Sequence, residues 1–304
     1  MILSITLNLA VDKVATAERL ECGRENRIEV KTRLPGGKGV NVARALNCAG
    51  MEVSVSGFAG GKNGEYIQEG LLAEGINPFL FPIEEESRVC LILVEKDGRV
   101  TEIYEKGPLI PENAQVGFLN YIKEVGRGFS WVSISGSLPP GFAADYYSKL
   151  LRKLKGKIFL DFHGSAMLSA LKKGAFLLKV NQREFTRTFQ VEEGKIPSVM
   201  CRLLEKFPLK YLVVTLGGKG TLGAEKGKVY RAGVTFQPNV VCPVGAGDAF
   251  MAGLIYSFFK GEDFKQALKR GVSFSVSNLG FWEGGRVDLQ YAERILKKVK
   301  LEET

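Results

Sequence analysis

Apolar runs and helix-period segments alternate along most of the chain. "ILSITLN" (residues 2–8) is a continuous apolar run, and "VNVARALNCAG" (40–50) follows with a helical period that stops at Gly50. The rhythm then repeats. "EVSVSGFAG" precedes "GEYIQEGLLAEG", which Gly75 closes, and "WVSISGS" precedes "AADYYSKLLRKLKG". "KIFLDF" leads to "SAMLSALKKG", and "FLLKVN" to "QREFTRTF". "YLVVTLG" is one more buried run, and the helix "DAFMAGLIYSFFKG" ends at Gly261. Strands that alternate with helices in this way predict an α/β fold, with a mostly parallel central sheet covered by helices on both faces. Ligands of such sheets gather beyond the carboxyl ends of the strands.

Two stretches break the rhythm. Residues 13–34 contain "RLECGRENRIEVKTRL", partly alternating and with no helix after it. Residues 88–105, "RVCLILVEKDGRVTEIYE", predict a β-hairpin turning at Asp97-Gly98. Together they predict a discontinuous β lid over an α/β domain made of residues 1–12, 35–87 and 106–304. The last dozen residues, rich in lysine and glutamate, predict a solvated terminal helix.

Composition narrows the classes of function. The 304 residues are enough for a sizeable core without staples. No run approaches about eighteen apolar residues, so no membrane span is expected. "MILSITLNLAVD" reads as a first strand and not as a leader peptide. The five cysteines are scattered and never spaced C-x-x-C, which disfavours disulfides and metal clusters and fits a reducing cytoplasm. His163 is the one histidine, a poor start for zinc or Ser-His-Asp chemistry. The net charge of +9 comes from basic residues spread along the chain without interleaved aromatics. That favours solubility and a small anionic substrate over nucleic acid.

Three glycine-rich stretches carry the candidate chemistry. In "PGGKGVNVARAL", Gly36, Gly37 and Gly39 surround Lys38 and open a helix. This is either a capping turn or an anion site. In "TLGGKGTLG", Gly218, Gly220 and Gly223 satisfy G-x-G-x-x-G. Strand-like "AEKGKVYRA" follows, and no acid stands about twenty residues on, so a hairpin beside a ligand fits better than a dinucleotide site. Neither stretch is a P-loop. The third, "VTFQPNVVCPVGAGDAF", reads as strand, turn and helix. The amides of Gly245, Ala246 and Gly247, with that of Asp248, would be free donors at a helix start. Asp248 is then either a plain N-cap or a carboxylate that takes a hydroxyl proton during phosphoryl transfer.

Taken together, these stretches resemble the PfkB carbohydrate kinases, the ribokinase-like family, over nearly the whole chain. "GGKGVNVARAL" is similar to the family's N-terminal signature and "VGAGDAF" to its C-terminal one. "SISGSLPPG" and "TEIYEKGP" look like the hexose-phosphate branch, the 1-phosphofructokinases and tagatose-6-phosphate kinases. The resemblance implies a ribokinase-like three-layer sandwich with a small β-sheet lid. It implies ATP and Mg2+ as cofactors, Asp248 as general base, and Gly245, Ala246 and Gly247 as an anion hole. Asp12, Gly37 and Asn41 would bind sugar hydroxyls. Arg27, Lys38 and Arg88 would hold the phosphate already on the sugar, with Ser137 nearby.

On the nucleotide side, "KVNQREF" resembles the family's N-x-x-E segment. Lys179 and Asn181 would approach the triphosphate, and Glu184 would organise magnesium through water. Thr215, Gly217, Gly218 and Gly220 would line the ATP site, and Asn278 would face adenine. Leu9, Val180 and His163 stand where the family usually has proline, proline and a small hydroxyl residue. The expected reaction is phosphorylation of a ketohexose phosphate, D-fructose 1-phosphate first, with tagatose 6-phosphate and fructose 6-phosphate as rivals. A non-catalytic sugar-phosphate sensor is the alternative outside that class. The open edge of the lid suggests a homodimer through the lid.

Overall fold

The computed structural model describes residues 1–304. Its strands are β1 (Ile2–Asn8), β2 (Ala10–Ala17), β3 (Glu29–Gly36), β4 (Val53–Gly60), β5 (Asn77–Ile83), β6 (Arg88–Glu95) and β7 (Val100–Tyr104). They continue with β8 (Trp131–Ser135), β9 (Lys157–Asp161), β10 (Ala175–Asn181), β11 (Leu209–Thr215), β12 (Thr221–Glu225), β13 (Lys228–Gly233) and β14 (Lys300–Glu303). The helices are α1 (Lys38–Cys48), α2 (Gly61–Ala73), α3 (Glu112–Val125), α4 (Tyr146–Leu151), α5 (Gly164–Leu171) and α6 (Gln182–Phe189). After them come α7 (Ile196–Lys206), α8 (Ala246–Phe259), α9 (Phe264–Asn278) and α10 (Leu289–Leu296).

Ten strands form the main sheet in the order β14-β13-β12-β11-β10-β9-β8-β1-β4-β5. From β11 through β5 every pairing is parallel, while β12, β13 and β14 close one side antiparallel. The sheet is buried on both faces because successive strand residues point to opposite sides. Phe159, Leu177 and Val213 face one core, which α1, α2, α8, α9 and α10 cover. Leu160, Leu178 and Val214 face the other, under α3 to α7. The chain order runs outward in both directions from the β1–β8 pair, which opens a crevice at the carboxyl ends of those strands.

The remaining four strands form a separate sheet in the order β3-β2-β6-β7. This is the lid, and its hairpin spans Lys96 to Arg99 as the sequence predicts. Its boundary lies earlier than the rhythm suggests. Only Leu9 separates β1 from β2, so Asp12 lies on the lid and not on the first strand of the main sheet. Two local expectations fail. The segment 234–244 before the glycine turn is irregular and not a strand. The terminus after α10 is an edge strand, because Leu301 and Glu303 find partners in Ala232 and Tyr230 of β13. Pairing to an existing edge overrides the helix preference of a lysine- and glutamate-rich tail. No helix is long and apolar enough to cross a membrane.

Candidate active site

The crevice is built around the start of α8. Gly245 is its N-cap, in the left-handed region at φ 84°. A Cβ there would lie 2.5 Å from Gly284 Cα, so glycine is required both for the bend and for the close approach of the 284–285 segment. Asp248 is therefore not the N-cap. It sits in the first turn, buried, and its carboxylate Oδ2 accepts from Asn41 Nδ2 at 2.8 Å. Its own amide is spent on Gly245 O at 3.0 Å, and that of Ala246 on Pro243 O at 3.3 Å. The amides left without a protein acceptor are those of Gly245 and Gly247. The expected set of donors is thus narrower, with both survivors at glycine.

Asn41 is buried on α1 and hydrogen-bonded at both ends of its amide. Its Oδ1 accepts from Arg44 Nη1 at 3.1 Å while its amide group faces Asp248. Arg44 in turn donates to Gly284 O and Pro35 O, both at 2.7 Å, and pairs with Glu74. Asn41, expected to bind a sugar hydroxyl, turns its amide group toward Asp248. Arg44 and Glu74 carry no glycine-motif signal of their own. Only the fold brings them to this point.

Lys38 projects from the glycine stretch toward carboxylates and not toward the lid. Its Nζ lies 3.3 Å from Asp161 and 3.4 Å from Glu184. Lys179 Nζ is 2.6 Å from the other oxygen of Asp161 and would lie 3.2 Å from a Cβ on Gly247. Two ammonium groups thus flank one fully buried carboxylate beside the amide turn of α8. Sequence reading passed over Asp161. Its position as the last residue of β9, at the carboxyl edge of the sheet, was the available signal.

Burial and a neighbouring acid set the protonation of this cluster. Desolvation, and then the charge of Asp161, push Asp248 up to about 6, against the opposing pull of Lys179, Lys38 and Asn41. Burial also works against the charge on Asp161, but Lys179 and Lys38 outweigh it and hold the carboxyl below its ordinary value. Desolvation opposes the charge of Lys38, and Asp161, Glu184 and Asp248 together keep it raised. Two neighbouring carboxylates are driven apart, one firmly ionised and one poised near neutrality, a pattern that marks acid–base sites.

Asn181 caps α6, and Glu184 closes a capping box with it. Glu184 Oε2 accepts from Asn181 N at 3.0 Å, which leaves Oε1 facing Lys38, with His163 Nε2 at 3.9 Å. One carboxylate thus secures a helix and faces the crevice. Asn181 pairs in register with Thr215 of β11. Beyond it, Gly217, Gly218 and Lys219 form a short 3-10 turn that ends at Gly220 before β12 doubles back. The hairpin expected there is present. No group of three or more His, Cys, Asp or Glu side chains gathers as a metal nest. The single outward oxygen of Glu184 suits a hard cation held mainly by water and phosphate.

On the lid side, Asp12 of β2 accepts from Gly37 N at 3.4 Å. A Cβ on Gly36 would lie 2.0 Å from Asp12 Cγ, so the glycines let the carboxyl reach the start of α1. Burial raises its pKa, against the Gly37 bond, Arg44 and Arg88. Arg88 donates to Asn8 O at 3.3 Å, and its Nε is buried without a partner. Asn8 also donates to Ser137 Oγ at 3.3 Å and leaves its own Oδ1 unpaired. Asp12, Arg88, Asn8 and Ser137 therefore meet where β1, β8 and the lid converge.

Two expected residues stand apart. Arg27 lies in the loop between β2 and β3 with its side chain 93% exposed, paired only to Glu25. That loop makes no ladder bonds to turn it inward. Asn278 is fully buried at the end of α9 and donates to Glu283 O and Arg286 O, both at 3.1 Å. It shapes the segment that carries Gly284 and does not face open space.

A family model described as pfkB family carbohydrate kinase matches residues 4–279. Among solved structures, a possible 1-phosphofructokinase from Thermotoga maritima is similar at 24% identity and TM-score 0.89, over 100% of this chain and 99% of that one. Phosphofructokinase-2 from Escherichia coli, solved with potassium, is similar at 21% identity and TM-score 0.88, over 97% and 98%. A carbohydrate kinase from Agrobacterium tumefaciens is similar at 18% identity and TM-score 0.76, over 100% and 99%. The lid, the glycine turn of α8 and the carboxylate–lysine cluster agree with the extent of that match: the chain belongs to the pfkB family of carbohydrate kinases.

Proposed function

We propose that the protein transfers the γ-phosphoryl group of ATP to a ketohexose phosphate, and that the acceptor is D-fructose 1-phosphate, giving fructose 1,6-bisphosphate. The observation that carries this reading is the buried Asp248, its pKa raised to about 6, in the first turn of α8 beside the unpartnered amides of Gly245 and Gly247. Asp248 takes the proton of the acceptor hydroxyl as the oxygen–phosphorus bond forms and ADP departs. The amides of Gly245 and Gly247, with Lys179 beside them, receive the negative charge that spreads over the phosphoryl oxygens. Lys38 stays protonated and neutralises the same region. Asn181, Thr215 and the turn from Gly217 to Gly220 hold the nucleotide. Glu184 would hold magnesium through water, a cation that offsets phosphate charge when bound.

Asp12 anchors the sugar, and Arg88 meets the phosphate already on it. That distal contact helps orient the reacting hydroxyl. Binding of a phosphorylated sugar accounts for a buried guanidinium nitrogen without a partner under the lid. The hexose-phosphate character of "TEIYEKGP" and "SISGSLPPG", and the likeness to the possible 1-phosphofructokinase from Thermotoga maritima, favour fructose 1-phosphate over tagatose 6-phosphate and fructose 6-phosphate. The test is ATP consumption with these three sugars, run beside Asp248→Asn. Turnover by the native protein and a loss of about a hundredfold or more in the variant are expected. Undiminished turnover in the variant removes Asp248 as the base, and a preference for either rival sugar corrects the substrate.

A further inference from the structure

The end of the main sheet opposite the crevice carries its own feature. The amino ends of β9 and β10, with the loops that feed them, enclose a cleft of about 400 Å³. It lies ~20 Å from the carboxyl edge, the length of the strands between. Leu154, Phe176 and Pro208 contribute its apolar floor, and Arg152, Lys155 and Lys173 stand on its wall with no aspartate or glutamate among the lining residues. Two more cations flank Phe176: Lys157 Nζ lies 5.2 Å from its ring centre and Lys210 Nζ 5.4 Å.

None of these five cations has a carboxylate partner. An ordinary solvated face interleaves charges of both signs, as Lys149 with Asp145 does one turn upstream on α4. Here the local charge is uncompensated, concave and set above apolar side chains. Its volume falls in the range of small-molecule sites. A nucleic-acid track would need successive exposed aromatic rings for stacking, and Phe176 is the one ring in the cleft. A lipid surface would need several large apolar side chains standing clear of the protein, and none of the exposed ones lines this cleft.

We propose that this cleft is a second binding site, for a small organic phosphate with an apolar or aromatic body. Its anionic head sits among Arg152, Lys155 and Lys173, and its body lies on Leu154, Phe176 and Pro208. The site shares no residue with the catalytic crevice, so it stands whether or not the substrate reading holds.

The experiment is a fluorescence titration of the full chain with 2-naphthyl phosphate. Parallel arms use inorganic phosphate, a short oligothymidylate and phosphatidylserine vesicles. The variant is Lys155→Glu/Lys173→Glu, with Lys155→Met/Lys173→Met as a milder second. We expect saturable one-to-one binding of 2-naphthyl phosphate, weaker binding of inorganic phosphate, and a loss of about tenfold or more in both variants. Sugar phosphorylation stays unchanged in the same variants. Binding that the variants leave intact, or no saturable binding, overturns the proposal. So does tighter, variant-sensitive binding of the oligothymidylate or the vesicles, which would make this a macromolecular or membrane face.

Discussion

Asn41 reaches across 207 positions of sequence to hold the carboxylate of Asp248 at 2.8 Å. Arg44 fixes the far end of the same amide at 3.1 Å. Asp248 therefore has one set direction and one donor that favours its charged form. Burial pushes its pKa up to about 6, and this hydrogen bond is among the contacts that hold it there.

The pH dependence follows from that balance. A base must be ionised to work, so kcat/KM falls as the pH drops through about 6 in the native enzyme. Asn41→Ala removes a donor to the charged form and raises the pKa further. The acid limb of the pH–rate profile then moves to higher pH. An acid limb at the same pH in the variant would show that the amide does not tune Asp248.

Arg88 is expected to act on binding. Arg88→Ala raises KM for the phosphorylated sugar by about tenfold or more, the worth of one charge-assisted contact, with a smaller change in kcat. Steady-state kinetics with and without the distal phosphate on the sugar checks this. An unchanged KM takes Arg88 out of the pocket.

Gly245 is expected to tolerate no side chain. Gly245→Ala forces a Cβ into the 284–285 segment at a left-handed φ of 84°. The cost is about 2–4 kcal/mol of stability, measured by urea unfolding. Turnover falls with it, because the two unpartnered amides lose their direction.

The lid makes a claim about assembly. Its outer strands, β3 and β7, are open edges that carry the exposed apolar side chains Val30 and Ile103. Unprotected apolar edges are stable in solution when they meet a partner. We expect sedimentation to give a homodimer, and Val30→Lys with Ile103→Lys to give monomers. A native monomer would show that the edges stay uncovered.

Much of this architecture was legible in the pattern of the chain. The β-α rhythm, the two lid stretches and the hairpin after Thr215 depend on local periodicity and turn residues, which a sequence displays directly. The glycine bend before Asp248 was legible for the same reason. What the sequence withheld was pairing. Asp161 meets Lys38 across 123 positions, and Arg44 meets Gly284 across 240. No local signal announces such partners. The strand at Lys300–Glu303 was hidden for a related reason: its polar residues form a strand only because β13 offers an edge.

The break at Leu9 gives the two proposed substrate-handling carboxylates different carriers. Asp12 travels with the four-stranded sheet, whereas Asp248 is anchored in the helical body. Were the smaller sheet to swing away, it would take the anchor with it and leave the proton acceptor behind. A nucleotide arriving alone would then meet half a workplace, with the sugar's anchor out of reach of Asp248. Thrift with ATP would thus be written into where the chain crosses from one sheet to the other.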